Sequence, residues 1–292
     1  MSAVLQPPSP MAAAGPGFWQ RARRSPSFMV GLVLTVLLVL AAALSFMWTP
    51  HNPYDVDMAL KLRRADATYW LGTDPYGRDV ASLLLVGARA SIAVGLIAVG
   101  IGLVIGTAFG LLASAKRGWV EEAIMRLADF GFAFPAILSA IMLTAVFGPG
   151  MVNAIIAIGL YNIPTFARIT RASANTVWAR EFVLAARACG KGGFAITVEH
   201  VLPNIGSVLI VQATIRFAIA ILAEAALSYL GLGTQPPQPS WGRMLSEAQT
   251  LLFQDPMLAV FPGLAIAFAV LGLNLLGDGL RDLFDPRLAR KR

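Results

Sequence analysis

The chain has 292 residues, 57% of them hydrophobic and 13% charged, which is far more apolar and less charged than a soluble globular domain. Its single cysteine, Cys189, excludes a disulfide framework and any multi-cysteine metal site. The net charge of +7 is scattered among apolar runs, which fits anionic lipid headgroups and membrane orientation rather than nucleic acid.

Residues 1–27 are rich in Pro, Ala and Ser, end in Arg21, Arg23 and Arg24, and read as a flexible cytoplasmic tail. Phe28 to Trp48 is an uncharged run of about 21 residues, enough to cross a hydrocarbon core of roughly 30 Å. It is longer than a signal-peptide apolar region and lacks a small-x-small site before His51, so it reads as a retained span, residues 28–48. Residues 49–89 carry both charge signs and three prolines, and read as a periplasmic segment with Tyr69 and Trp70 at the interface. His51, Asp74 and Asp79 lie in it, but no pair of them has helical or hairpin ligand spacing, so no metal site is expected.

Ala90 to Ala115 is an uncharged second span, closed by Lys116 and Arg117. Gly102, Gly106 and Gly110 recur every four residues along one helix face, a strip suited to close helix packing in lipid. Leu127 to Phe147 is predicted as the third span, with Asp129 near its entry and Pro135 inside it; Gly148-Pro149-Gly150 is a tight turn, and Met151 to Ala167 is the fourth, with Pro164 near its end.

The stretch Arg180 to Asn204 is too charged for lipid, yet lies between two apolar runs. On a helical wheel Trp178, Phe182, Ala185, Ala186 and Cys189 share one face, and Arg180 and Arg187 take the opposite one. Cys189 then reads as a small buried thiol. Gly190 stands where a helix terminus calls for the left-handed conformation. A second short helix, Phe194 to Val201, leads into Leu202-Pro203, where proline suits a first helical turn. The whole reads as a knuckle: short helix, glycine turn, short helix, span.

Ile205 to Leu232 is the fifth span and carries Arg216 and Glu224, eight residues apart and so on roughly one helix face. Ionisable groups inside a span face a protein interior or a water-filled cavity. Two readings stay open: a lining of a translocation path, or a structural pair with neighbouring helices, with Glu224 near the far interface. Thr234 to Pro256 is a stiff, proline-rich extramembrane loop, Met257 to Gly277 is the sixth span, and residues 281–292 form a cytoplasmic tail. With the N-terminus inside, 16 of the 23 Lys and Arg residues fall on the cytoplasmic side and six opposite, which places both termini and the knuckle in the cytoplasm.

Several strings then resemble one family. Ala185-Ala186, three residues, Gly190, and a later Leu202-Pro203 resemble the EAA loop of ABC-importer permeases; adding Glu181, Phe182, His200 and Asn204 makes the loop similar to the peptide and nickel importer branch. Trp70-Leu71-Gly72-Thr73-Asp74 with Gly77-Arg78-Asp79 resembles a segment of the C-type permease subunit of dipeptide and oligopeptide importers. Gln235-Pro236-Pro237, Pro239-Ser240-Trp241-Gly242 and the closing Asn274 to Arg287 are similar to further strings of that family. The sequence departs at Leu184, where the family has Glu, and at Glu199, where it usually has a basic residue.

The resemblance implies an all-α polytopic membrane protein in the bacterial inner membrane, with six transmembrane helices and the type I ABC importer permease fold. It implies a permease core over residues 90–280, with a cytoplasmic coupling helix in the loop 172–204. It further implies a second homologous permease subunit, two cytoplasmic ATPase subunits and a periplasmic substrate-binding protein, with membrane lipid around them. This chain would hold no cofactor; ATP and magnesium would be used by the ATPases. The cargo implied is a dipeptide or oligopeptide, with nickel chelates and glutathione as alternatives. A secondary transporter acting alone, or a membrane anchor without transport, are the rival classes. Gly190-Lys191 is no phosphate loop, because Gly192 follows where Ser or Thr is needed and Ala185 replaces the first glycine. No hydrolase signature is present either, so the chain reads as a transport subunit and not an enzyme.

Overall fold

A computed structural model describes residues 18–284. The expectations on residues 1–17 and 285–292, including Arg287 and the last part of the closing string, lie outside the described residues. Those described are helical throughout, apart from the connecting segments and one isolated bridge between Thr73 and Asp79. Five helices are long and apolar enough to cross a membrane, or six if one bent pair counts as a single span.

The part of the expected flexible tail that is described is ordered. Helix α1 (Phe18–Arg24) buries Ala22 against Phe28 and Leu283, and Arg21 donates to the carbonyl of Leu283. Ser25 then caps α2 (Pro26–Met47), which from its third residue, Phe28, matches the predicted first span closely.

Helix α3 (Val80–Lys116) starts ten residues before the predicted second span. The cause is Asp79, whose carboxylate accepts from the Ser82 amide at 3.0 Å and its hydroxyl at 2.6 Å, satisfying donors that a helix start leaves open. Arg89 is carried inside this helix because it donates to Ser45 Oγ at 2.6 Å and lies over the Phe46 ring.

The predicted third span is broken. Helices α4 (Gly118–Ala133) and α5 (Ala136–Phe147) meet at a bend of 83°. Phe134 is extended there, as the residue before a proline prefers, and Pro135 has no amide to continue the ladder. Helix α6 (Met151–Trp178) runs eleven residues past the predicted end of the fourth span and keeps Pro164 inside it. After α7 (Glu181–Ala188) and α8 (Gly193–Ile196) comes α9 (Leu202–Tyr229). Helix α8 is continuous with α9 through a π-helical turn, Thr197–Val201, so Gly193–Tyr229 forms one helix of 37 residues. The wider i→i−5 bonds, such as Leu202 N–H to the Thr197 carbonyl, carry the helix past Pro203, which offers no amide. Helices α10 (Trp241–Ala248) and α11 (Met257–Phe284) complete the chain.

The glycine strip of α3 does what close packing requires. A Cβ at Gly106 would lie 2.5 Å from the Ile163 carbonyl, and one at Gly110 would lie 2.5 Å from that of Ala167. Helix α3 thus rests backbone to backbone on α6. Helix α2 approaches α11 as closely at Gly31, where a Cβ would meet the Leu276 amide at 2.2 Å.

Candidate coupling loop and intramembrane polar residues

The knuckle forms as the glycine spacing predicts. Gly190 has φ +82°. Its amide bonds the Arg187 carbonyl at 2.9 Å, and the Lys191 amide bonds that of Ala186 at 3.1 Å. This paired pattern is the Schellman termination, and it closes α7 with the Ala186 and Arg187 carbonyls satisfied.

The helical wheel misplaces the packed face. Val183 is the buried residue of α7, and it belongs to one cluster with Val177, Trp178, Ile196 and Val201. Phe182, Ala185 and Cys189 are exposed and Ala186 is half-buried, so Cys189 is not the buried thiol the sequence suggested. Arg187 lies over the Trp178 ring at 4.9 Å, so the two are not on opposite faces. An eight-residue helix folded back at both ends is oriented by its strongest tertiary contact, here Val183, and not by its mean apolar direction.

The structure brings most of the remaining loop residues together. The rings of Phe182 and His200 meet edge to face at 6.2 Å, bridging the two arms. Asn204 Nδ2 donates to the His200 carbonyl at 2.6 Å. Glu181 and Pro203 are exposed, and Leu202 is half-buried. Both departures from the family pattern find a setting. Glu199 forms an ion pair with Lys191 across the glycine turn, and Leu184 is 54% exposed. With Phe182, Phe194 and Val198, Leu184 gives the knuckle an apolar outer surface. Phe194 and Val198 lie in the second short helix that the sequence predicts, but are not among the loop residues singled out there.

Arg216 and Glu224 occupy separate sites. Glu224 is sealed inside the chain at 1% exposure, where its carboxyl accepts from Ser228 Oγ at 2.6 Å and Thr234 Oγ1 at 3.3 Å. The hydroxyls of Ser240 and Ser91 lie beside it, and Ser228 Oγ also accepts the Thr234 amide at 3.0 Å. Glu224 therefore pins the turn after α9 to α3 and α10. Arg216 is the fifteenth of the 28 residues of α9, half-buried beside the Tyr161 phenol of α6. Its Nε is buried without a partner.

The two other strings build the far-side cap. Asp74 accepts from the amides of Tyr76 at 2.8 Å and Arg78 at 2.9 Å, and from Arg78 Nε at 2.6 Å. Arg78 Nη2 reaches Glu247 Oε2 at 2.8 Å, and Arg243 Nε reaches Glu247 Oε1 at 2.7 Å. Trp241 is buried, and its indole N–H donates to the Leu84 carbonyl at 2.9 Å. His51 stacks on Tyr69, with ring centroids 4.5 Å apart. The amides of Tyr69 and Thr68, followed by the nearby Arg63 charge, hold the Asp66 carboxyl below its ordinary range.

Residues 98–290 match the family described as "Binding-protein-dependent transport system inner membrane component", and residues 17–65 match the "N-terminal TM domain of oligopeptide transport permease C". The chain is 41% identical over 276 residues to the glutathione transport system permease protein GsiD of Pectobacterium atrosepticum, covering 93% of this chain and 90% of the relative. It is 40% identical over 260 residues to the dipeptide transport system permease protein DppC of Alkalihalophilus pseudofirmus, covering 89% and 86%. GsiD of Escherichia coli O157:H7 is 43% identical over 275 residues, covering 93% and 90%. Among solved structures, a chain of the MetNI methionine ABC transporter, inward-facing in its CY5 native crystal form, superposes with a TM-score of 0.59 at 18% identity. It covers 70% of this chain and 97% of that one, a likeness of fold.

Proposed function

Because the chain belongs to the family of binding-protein-dependent transport system inner membrane components, we propose that it is the translocating permease subunit of an ATP-driven importer for small peptides, of the dipeptide or glutathione class. The observation that carries the proposal is identity of 40% or more along about nine-tenths of the chain to permeases of those two systems. In this reading the loop Arg180–Asn204 docks on a cytoplasmic ATPase, which binds and hydrolyses ATP with magnesium. A second permease of similar fold, a second ATPase and a periplasmic binding protein complete the importer. Both termini lie in the cytoplasm, in keeping with the excess of Lys and Arg on that side.

The knuckle suits docking because its outer surface is apolar while its backbone is tied down. Phe182, Leu184 and Phe194 face outward, and the Schellman bonds and the Val183 contact fix their positions. ATP-driven closure of the ATPase pair would move the knuckle, and α6 and α9 with it, opening the path alternately to each side. The test is purification from the native membrane in mild detergent. Recovery of two ATPases and a second permease in fixed ratio, with ATP-dependent uptake of a labelled dipeptide or glutathione after reconstitution, is the expected result. A chain that emerges alone and transports without ATP would reverse the proposal in favour of a secondary transporter.

A further inference from the structure

Two clefts flank α9 on its knuckle side and share Val208. One, of about 500 Å³, lies against α6 and is lined by Ser173, Thr176, Arg180 and Asn204. The other, of about 470 Å³, lies against α11 and is lined by Ser207, Gln212, Ile215 and Arg281. Together they climb α9 from its entry to Gln212 and Ile215; Arg216 lines neither cleft itself and stands one helical turn above Gln212 on the same face. The charged side chains lining both clefts are cations; among the described residues no carboxylate lines either one. Arg180 and Arg281 sit at the ends of spans, where the positive-inside bias accounts for them. It does not account for Arg216, at the midpoint of α9.

A guanidinium at that depth is costly unless something anionic meets it. Among the described residues no carboxylate pairs with Arg216: its neighbour is the Tyr161 phenol, its Nε has no acceptor, and Glu224 is held in its own hydroxyl pocket. We infer that Arg216 is a cargo-contact residue at the head of this vestibule, where its guanidinium takes the carboxylate of the passing solute. The inference rests on the importer reading above. Dipeptides and glutathione both carry free carboxylates, and a planar guanidinium fork matches that group in two parallel hydrogen bonds.

The test uses the complete reconstituted importer and two readouts. In the first, Ile215→Cys is placed in a Cys189→Ser background and labelled with an anionic and a cationic methanethiosulfonate reagent. The anionic reagent should be favoured about tenfold with Arg216 present, and Arg216→Gln should erase that bias. In the second, uptake of labelled dialanine should fall about tenfold or more in Arg216→Gln and recover by more than half in Arg216→Lys. An unchanged reagent bias, or wild-type uptake by Arg216→Gln, overturns the inference. So does loss of the second permease from purified Arg216→Gln, which would place the counter-charge on that subunit. If wild-type vesicles take up no dialanine, the peptide-importer reading fails, and the reagent bias alone then upholds or overturns the anion contact.

Discussion

Gly190→Val tests the knuckle where its backbone is most constrained. Gly190 holds φ +82°, a conformation that costs a residue with a Cβ about 1–2 kcal/mol and a β-branched one more. Escape from that strain would give up the two capping bonds, from the amides of Gly190 and Lys191, worth about 1 kcal/mol each in net terms. Either way the α7 terminus loses about 2–3 kcal/mol, a shift of roughly 30- to 150-fold toward a frayed turn. No heavy atom lies within 4 Å of the added Cβ, so the loss would be conformational and local, with no clash inside the chain. Reconstituted vesicles carrying Gly190→Val should hydrolyse ATP but take up cargo with about tenfold or more loss per ATP. Gly190→Asn tolerates the left-handed region and should stay within about twofold of wild type. Gly192→Ala, at an ordinary φ of −69°, should couple normally. Normal coupling in Gly190→Val would refute the role of the cap. Equal failure of Gly190→Asn would show that bulk on the docking surface matters and backbone strain does not.

Four further outcomes are expected in the purified chain. Gly106→Leu should prevent a monodisperse protein from forming, because its Cβ would meet the Ile163 carbonyl at 2.5 Å, whereas Gly100→Leu, with nothing within 4 Å, should purify normally on size exclusion. Arg78→Ala leaves the largely buried carboxylates of Asp74 and Glu247 without that cation and should lower stability by about 3 kcal/mol, seen as a fall in Tm in detergent; a change within about 0.5 kcal/mol would mean that water enters the cluster. Glu224→Gln keeps an acceptor for Ser228 and Thr234 and should stay within about 1 kcal/mol in Tm-derived stability, while Glu224→Ala should lose about 3. Trp241→Phe removes the bond to the Leu84 carbonyl and part of the buried ring, and should cost about 2 kcal/mol, against 3–5 for Trp241→Ala by the same melting assay.

How much of this could be read from the sequence depends on how local the cause is. Gly190 was legible because a left-handed helix terminus is set by one residue's missing Cβ. The α3 strip was legible because a four-residue glycine period puts bare backbone on one face. The start of α3 was misjudged because Arg89 looked like a boundary, when its charge is absorbed by Ser45 and Phe46 of another helix. The capping pair Asp79 and Ser82 was present in the sequence, and it outweighed that signal. Pro135 and Pro164 had the same residue type and opposite outcomes. Phe134 before Pro135 is extended and the helix breaks, while Pro164 stays helical, with Gly131 of α4 leaving room against its ring. The separate fates of Arg216 and Glu224 were illegible, because eight-residue spacing gives a shared direction but not the hydroxyls of Ser91, Thr234 and Ser240 that come from elsewhere.

The two arms of the knuckle are mechanically unequal, and this bears on how a docked ATPase would drive the permease. Helix α6 ends at Trp178 and is joined to α7 through Arg180, whose backbone is extended; that joint can bend. In the other arm the extended residue is Gly192, in the glycine turn itself, and no break follows it. Gly193–Tyr229 is one helix of 37 residues, about 55 Å long at 1.5 Å per residue. Near its far end Glu224 ties the following turn to α3 and α10 through buried hydroxyls. A displacement of the knuckle would therefore reach the far-side cap through α9 with little loss, while α6 follows through its softer link. The one irregularity in α9's arm is the π turn at Thr197–Val201, within the knuckle's second half. Flexing there would change the angle between knuckle and rod without bending the membrane-spanning part. Arg216, halfway along α9, would then move with the helix, so a docked ATPase and the proposed cargo contact would be linked through the same element.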